Sequence, residues 1–330
     1  MTPALGMLTL LSRLLAIPGA ARVLKPVSRA PGVRSLGRTW LRRAVLRDEL
    51  SRPNDVTVVI GVRNRSDYRI VNTLRSLRAQ THPAELVRVV VVDYGSEPAH
   101  AELTARVCRQ FDAEYVGIDE APVWSRARCL NIGIRRARTK FLMTADVDTM
   151  FSARYVADAI RALTESPLSV VCSVMLDLPE DSVEVVKEAA RAGGALPLER
   201  WRAWCSPRLE DQLHPSIAAT YTTLFHLIRG FDEYYEVWGL EDADLMQRFQ
   251  YLGLRPQAVH SGSFYLHQWH PKFESIPEGG QAPEIQRNLA YFTKNHSILR
   301  NDRAWGTGPD RAMTRRPVRA PIGFGSVDPE

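Results

Sequence analysis

No stretch of the 330-residue chain reaches the roughly 18 consecutive apolar residues of a transmembrane helix, which argues against a polytopic membrane protein. Cysteine is scarce: Cys108, Cys129, Cys172 and Cys205 are widely spaced and no C-x-x-C pair occurs. That argues against a zinc ribbon, a dithiol redox motif or a dense disulfide framework, and a reducing compartment fits best. The first strand-like run is not followed by a glycine-rich phosphate loop; Arg63-Asn64-Arg65-Ser66 stands there instead. An excess of one charge is missing from most of the chain. Residues 1–50 carry nine Lys/Arg against two acids, while residues 51–330 carry 34 against 35, so the net +6 belongs to the N-terminal segment. A nearly neutral body whose aromatics do not interleave with a basic stripe disfavours nucleic acid as a partner.

With 45% hydrophobic and 24% charged residues, most of the chain is expected to fold and stay in water. Length and texture divide it into a basic segment over 1–50, a body over 51–300 with halves at 51–150 and 151–300, and a tail over 301–330. The first segment opens with an apolar run from Ala4 to Leu15, broken by Arg13, and continues through Arg22, Lys25, Arg29, Arg34, Arg38, Arg42, Arg43 and Arg47. It is too short and too charged to span a bilayer, and no basic stretch precedes the apolar run as in a secretory signal. Two readings stand side by side: peripheral contact with an anionic membrane surface, or a solvated extension. The location expected is cytoplasmic, with the membrane's cytoplasmic face as the place of any such contact.

From Asp55 onward strands alternate with helices. Val56–Ile60 and Val87–Val92 read as strands buried on both faces. Between them Ile70, Val71, Leu74 and Leu77 form a helical stripe, with Ser66 as its cap. A helix with Leu103, Val107 and Phe111, a strand at Tyr115–Ile118, a helix over Ala127–Ala137 and a strand from Lys140 to Thr144 follow. The pattern predicts an α/β fold with an open, mostly parallel, Rossmann-like sheet flanked by helices, whose ligands sit beyond the carboxyl ends of the strands. Past Phe151 come a helix and a strand at Leu168–Met175; residues 177–220 show no clear period. A helix with Leu245, Phe249 and Leu252 and a last one around Ile285, Leu289 and Phe292 complete the body.

Chemistry-bearing residues cluster at expected strand ends. Asp146-Val147-Asp148 ends an apolar strand with two carboxylates one residue apart, which suits a hard divalent cation, Mn²⁺ or Mg²⁺, holding a diphosphate. Asp93 ends an earlier strand, either to accept hydrogen bonds from a base or ribose or to make an Asx-turn. Arg126 and Arg128 precede Asn131 at a helix start, where guanidinium and backbone N–H groups suit phosphate oxygens. Trp238-Gly239-Leu240-Glu241-Asp242 puts two acids at a helix start, the place for an ionised oxygen base or for ordinary first-turn acids. His267 and, three residues on, His270 offer imidazoles to complete a metal set with Asp146 and Asp148. Trp238 has two roles open to it, stacking on a sugar or packing in a core. Trp201 and Trp204, within 177–220, mark an acceptor-side region or lid.

In order, Val58-Val59-Ile60-Gly61-Val62-Arg63-Asn64, Val91-Val92-Asp93-Tyr94-Gly95-Ser96, Ala127-Arg128-Cys129-Leu130-Asn131-Ile132-Gly133, Asp146-Val147-Asp148, Gly230-Phe231-Asp232-Glu233 and Glu241-Asp242 resemble the family 2 glycosyltransferases of the GT-A fold. The later half is similar to the galactosyl- and N-acetylgalactosaminyltransferase branch. The resemblance spans about residues 55–300. It implies a nucleotide-sugar donor, a divalent metal and inversion at the anomeric carbon. It makes Asp93 the nucleoside-binding acid and places Gly61, Arg63, Arg126, Arg128, Asn131 and Trp238 on the donor side. It further makes Asp242 the base, Glu241 its neighbour orienting the acceptor, and His267 a metal ligand with His270 beside it. Departures are Gly61 where proline is frequent, Tyr94 for a second Asp, and Leu240 for a glycine; the last leaves the sugar preference open.

The function expected is transfer of a sugar, from UDP-hexose or UDP-N-acetylhexosamine, to a hydroxyl of a glycan or glycolipid. Two alternatives compete: a nucleotidyltransferase-like enzyme, whose phosphate loop is missing here, and a non-catalytic glycan-binding or scaffold protein, against which the joint presence of Asp146, Asp148, Asp242 and His267 argues.

Overall fold

The computed structural model describes residues 38–119, 121, 123–207, 213–260, 262–271 and 283–308. Its centre is a seven-stranded sheet. In chain order the strands are β1 (Val56–Val62), β2 (Val87–Tyr94), β3 (Glu114–Ile118), β4 (Phe141–Asp146), β6 (Ser169–Ser173), β9 (His214–Tyr221) and β10 (Arg255–Ala258), and they lie side by side as β10-β6-β9-β4-β1-β2-β3. Every pairing is parallel except those of β9, which runs antiparallel between β4 and β6. β1 is almost wholly buried, and Arg88 is the one exposed residue of β2, as expected for valine-rich strands covered on both faces.

The helices that cover them are α1 (Tyr68–Arg78), α2 (Pro98–Gln110), α3 (Arg126–Arg136) and α4 (Tyr155–Glu165). Asp67, not Ser66, caps α1, accepting from Arg69 N at 2.9 Å, while Ser66 Oγ pairs with His100 Nδ1. α3 lies close against β1 and β2 because Gly133 lacks a side chain: a Cβ there would stand 2.4 Å from Val59 Cγ1.

Residues 177–220, silent in periodicity, contribute a second layer. α5 (Val183–Ala192) and α6 (Leu198–Arg202) pack with a small sheet of β5 (Thr149–Phe151), β11 (Tyr265–His267), β7 (Met175–Asp177) and β8 (Ser206–Pro207), in the order β5-β11-β7-β8. Tyr68, Met150, Leu178, Val186, Trp201 and Leu266 form its core. Trp201 is therefore a core residue and not an acceptor contact, whereas Trp204 is exposed. Residues 208–212 of that region lie outside the described residues.

Both expected boundaries shift. Leu41 and Leu46 are buried in the main core, and Arg38 Nη1 donates to Gly253 O at 2.7 Å, so 38–50 belong to the body; residues 1–37 lie outside the described ones. At the other end 301–308 pack onto it: Arg229 Nη1 donates to Asn301 O at 2.6 Å, and Gly306 N to Glu233 Oε1 at 2.7 Å. The rest of the expected tail, 309–330, is not described. The remaining helices are α7 (Thr222–Ile228), α8 (Glu241–Leu252) and α9 (Pro283–Lys294). α9 docks through buried Asn288 and leaves Leu289 of its expected apolar stripe exposed.

The close approach of α3 predicts that Gly133→Ala lowers stability by about 1–3 kcal/mol through overpacking. Chemical denaturation reads this, and an unchanged midpoint would mean that α3 can slide outward at no cost.

Candidate active site

Strand register brings the acidic positions together. Gly61 of β1 stands opposite Val92 on one side and Asp146 on the other, and Val62 pairs with Asp93, so Asp93 and Asp146 share the carboxyl edge of the sheet. Gly61 itself serves packing, since a Cβ would lie 2.9 Å from Cys129 Sγ. After Asp146 the chain turns sharply, held by Thr149 Oγ1 donating to Asp146 O at 2.7 Å and Thr73 Oγ1 donating to Val147 O at 2.8 Å. Asp148 is thereby swung toward the small sheet.

There β11 pairs His267 with Thr149 of β5 on one side and with Asp177 of β7 on the other. One carboxylate oxygen of Asp148 lies 3.6 Å from His267 Nε2 and the other 3.3 Å from His270 Nε2. The ligand atoms of Asp148, His267 and His270 all fall within 4.8 Å of one another. The Nδ1 atoms face other partners, His267 toward Asp177 Oδ1 at 3.0 Å and His270 toward Pro271 O at 2.8 Å. With the proton on Nδ1 in each ring, both Nε2 lone pairs point at Asp148, the carboxylate–histidine arrangement typical of metal ligands. Burial disfavours ionisation of Asp148, but His267, His270, Arg65 and Arg69 outweigh it and hold its carboxyl below the ordinary range. Burial pushes the His270 pKa down, the direction that favours the neutral form a metal ligand needs. One carboxylate and two imidazoles fit a divalent transition ion such as Mn²⁺ better than Mg²⁺, which prefers oxygen.

Asp146 stands apart from this trio. Arg126 Nε donates to Asp146 Oδ1 at 2.8 Å, Nη1 to Asp242 Oδ1 at 2.5 Å and Nη2 to Ser216 O at 2.8 Å. Arg126, expected on phosphate, is thus committed to two carboxylates in this state, and Asp146, expected on metal, faces a guanidinium. Burial and the neighbouring Glu241 and Asp146 push Asp242 up to about 8, against the pull of Arg126. Glu241, buried at the first turn of α8, is raised by burial in the same way. With a value of about 8, the Asp242 carboxyl holds its proton at neutral pH.

The start of α8 is anchored from behind. Asp244 accepts from Arg248 Nε at 2.6 Å and Arg300 Nη2 at 3.1 Å, all three side chains being essentially inaccessible. Asn288 Nδ2 of α9 donates to the carbonyls of Glu236 and Trp238. Between these anchors Val237, Gly239 and Leu240 adopt φ of 64°, 100° and 75°. Leu240, which replaces a glycine in the resemblance, therefore occupies a left-handed conformation that disfavours a side chain. Trp238 is 46% exposed, on the surface and not in a core.

Other expected residues fall differently. Asp93 is buried, with Oδ1 accepting from Ser96 N at 3.1 Å and Oδ2 from Tyr115 Oη at 3.0 Å. Burial raises its pKa while those bonds oppose the rise. The turn role is observed, and Asp93 reaches no open surface in this state. Asn131 is fully buried and clamps the 230–233 loop, donating to Phe231 O and Glu233 Oε1 and accepting from Phe231 N, so it is removed from direct phosphate contact. Arg128 is 45% exposed and lines a cavity of about 200 Å³ with Tyr94, Glu233 and Thr307. Arg63 is half-buried in the loop after β1. Sequence reasoning passed over Arg65, whose Nη1 lies 3.5 Å from Asp148, and Asp177, paired with His267. A basic loop after a strand was visible for the first; nothing local marked the second.

Residues 57–260 match the family model described as glycosyltransferase like family 2. The chain belongs to this family. No curated protein matches it. Among solved structures, S. aureus TarS 1–349 in complex with UDP is similar at TM-score 0.50 and 18% identity, covering 73% of this chain and 66% of that one. GalNAc-T7 with UDP, GalNAc and Mn²⁺ is similar at TM-score 0.54 and 13% identity, covering 73% of this chain and 47% of that one. The chain thus spans less than two thirds of either length. The likeness identifies the fold as GT-A.

If Asp177 orients His267, Asp177→Asn should weaken Mn²⁺ binding about 10- to 100-fold while leaving the unfolding midpoint near that of the parent. Titration calorimetry measures it, and unaltered affinity would leave Asp177 a packing residue.

Proposed function

We propose that the protein is an inverting, metal-dependent glycosyltransferase that moves a hexose or N-acetylhexosamine from a UDP-sugar to a hydroxyl of a glycan or glycolipid. One observation carries this reading: Asp242 stands across the Arg126 guanidinium from Asp146, and two residues past Asp146 the Asp148 carboxylate gathers His267 and His270. The UDP complexes of TarS and GalNAc-T7, the latter with Mn²⁺, support the donor and ion classes.

Asp148, His267 and His270 would hold a divalent cation, Mn²⁺ or Mg²⁺, which when bound neutralises charge on the leaving diphosphate. Arg65, beside Asp148, and exposed Arg128 reinforce that neutralisation. The acceptor hydroxyl gives its proton to the Asp242 carboxylate as its oxygen bonds to the anomeric carbon. The bond from that carbon to the diphosphate oxygen breaks, its electron pair leaving with the UDP. Attack opposite the leaving group inverts the centre in one displacement, by analogy with the two-face logic of glycoside hydrolysis. Glu241, next to the base, orients the acceptor, and the exposed indole of Trp238 offers a face for a sugar ring.

Titrating a panel of UDP- and GDP-sugars with Mn²⁺ should show one donor binding only with the metal, and not to Asp148→Ala. A folded protein that binds none of them would favour the non-catalytic glycan-binding alternative. Asp242→Asn should retain donor binding and lose about 100- to 10,000-fold in turnover; unchanged turnover removes Asp242 as base. The raised pKa of Asp242 fixes the sign of the pH response: protonated below about 8 and ionised above, it gives kcat/KM a rise with pH that levels near that value. Glu241→Gln removes a neighbouring negative charge and should move that limb to lower pH, whereas an unmoved limb would mean another group sets it.

A further inference from the structure

The basic excess of the N-terminal segment extends into the folded body. Arg42 and Arg43, on a short π-helical segment (Leu41–Val45), and Arg47 just after it are exposed, while Leu41 and Leu46 of the same stretch are buried. Together with Thr39 and Leu50, the three arginines line an open cavity of about 660 Å³. None of the three makes an ion pair among the described residues. Of the two acids beside them in sequence, Glu49 is already engaged by Arg52 Nη1 at 2.9 Å and Thr223 Oγ1 at 2.7 Å, while Asp48 is exposed. Leu50, 41% exposed, puts an apolar side chain on the rim.

This face has no part in donor chemistry, because it lies at the wrong end of the sheet. Lys140, which precedes β4, donates through Nζ to Arg52 O at 3.2 Å and Leu50 O at 3.4 Å, whereas Asp146 closes the same strand at its far end. Six residues at about 3.3 Å each separate the two edges by about 20 Å. Residues 1–37, which lead toward the face, carry five further Lys/Arg, no acid and the apolar run from Ala4 to Leu15. Unpaired guanidiniums, an apolar rim and a basic, partly apolar approach are complementary to a surface that is anionic outside and apolar beneath.

We infer that the Arg42–Arg43–Arg47–Leu50 face docks on an anionic lipid bilayer, the arginines on headgroup phosphates and Leu50 toward the acyl boundary. The docking itself is independent of the catalytic reading. One consequence does rest on that reading: a protein docked by the amino edge of its sheet holds Asp242, at the opposite edge, about 20 Å from the lipid. The acceptor hydroxyl must then be carried on something long enough to reach it, such as a grown glycan, and not on a short headgroup.

The test uses the full chain and sedimentation with vesicles of phosphatidylcholine alone or mixed with phosphatidylglycerol. Binding is expected to the mixed vesicles only, and to weaken as salt rises. The triple variant Arg42→Gln, Arg43→Gln, Arg47→Gln should reduce partitioning on the order of a hundredfold. Its unfolding midpoint and Mn²⁺ affinity should stay unchanged, because the three side chains are exposed and remote from the metal cluster. Deleting residues 2–37 should leave measurable binding that still depends on the three arginines. Undiminished binding by the triple variant, equal binding to phosphatidylcholine alone, or total loss on that deletion would each overturn the docking face. Loss of donor binding in the parent would instead overturn the catalytic reading and leave the vesicle result standing.

Discussion

The arrangement of the acidic edge depends on one guanidinium. Arg126 joins three parts of the chain: the end of β4 through Asp146, the start of α8 through Asp242, and β9 through Ser216 O. Like charges this close and this far from bulk water repel strongly, so without the shared cation the two carboxylates would separate or take up protons. With it the set still holds more acid than base, because Glu241 adds a third carboxyl to the same neighbourhood. Crowding of acids around one guanidinium therefore favours the protonated form of Asp242 and Glu241. Asp148 and its two imidazoles form a separate group able to hold a cation.

Rigidity behind the edge holds this crowding in place. Asp242 sits on the first turn of α8, and the Asp244–Arg248–Arg300 cluster fixes that turn two residues later from the protein interior. A buried ion pair gives little net stability, because desolvation offsets attraction, but removing one partner is strongly unfavourable, so it holds a geometry firmly. Arg300 arrives from beyond α9, and the following 301–308 segment is tied to the 229–233 loop. The chain past the family-matched region thus braces the helix that carries Asp242. Positive φ at Val237 and Leu240 is strain held in place by these braces, next to the group whose position matters most.

Much of this was legible in the sequence, and the reason is local periodicity. Valine runs such as Val87–Val92 admit only a buried strand, and a carboxylate at the end of such a run must appear at the carboxyl edge. Asp93, Asp146 and Asp148 were placed in that way, and the helix start at Glu241 by its acids and preceding glycine. What stayed hidden were pairings between distant segments. β9 enters the sheet antiparallel from a stretch with no clear period. Asn131 looked like a phosphate contact because it neighbours Arg128, yet it faces inward and clamps a loop 100 residues away. Arg126 looked like a phosphate contact for the same reason. Its commitment to Asp146 and Asp242 follows from tertiary placement of α8, which spacing along the chain does not encode.

The small sheet shows why such pairings matter to chemistry. Asp148 and His267 are more than a hundred residues apart, and neither lies on the large parallel sheet. They meet because β11 inserts between β5 and β7, an arrangement stabilised by a core of its own around Trp201 and Leu266. That core uses the tryptophan expected to face an acceptor. Residues 177–207 thus hold His267 through Asp177. The 234–240 loop is the more open part of this region: Trp238 is exposed, and among the described residues no atom beyond its chain neighbours lies within 4 Å of the place a Gly239 side chain would take. Arg126 thus separates two acidic positions from different parts of the chain, Asp242 at the start of α8 and Asp146 at the end of β4, two residues before Asp148 and its histidines.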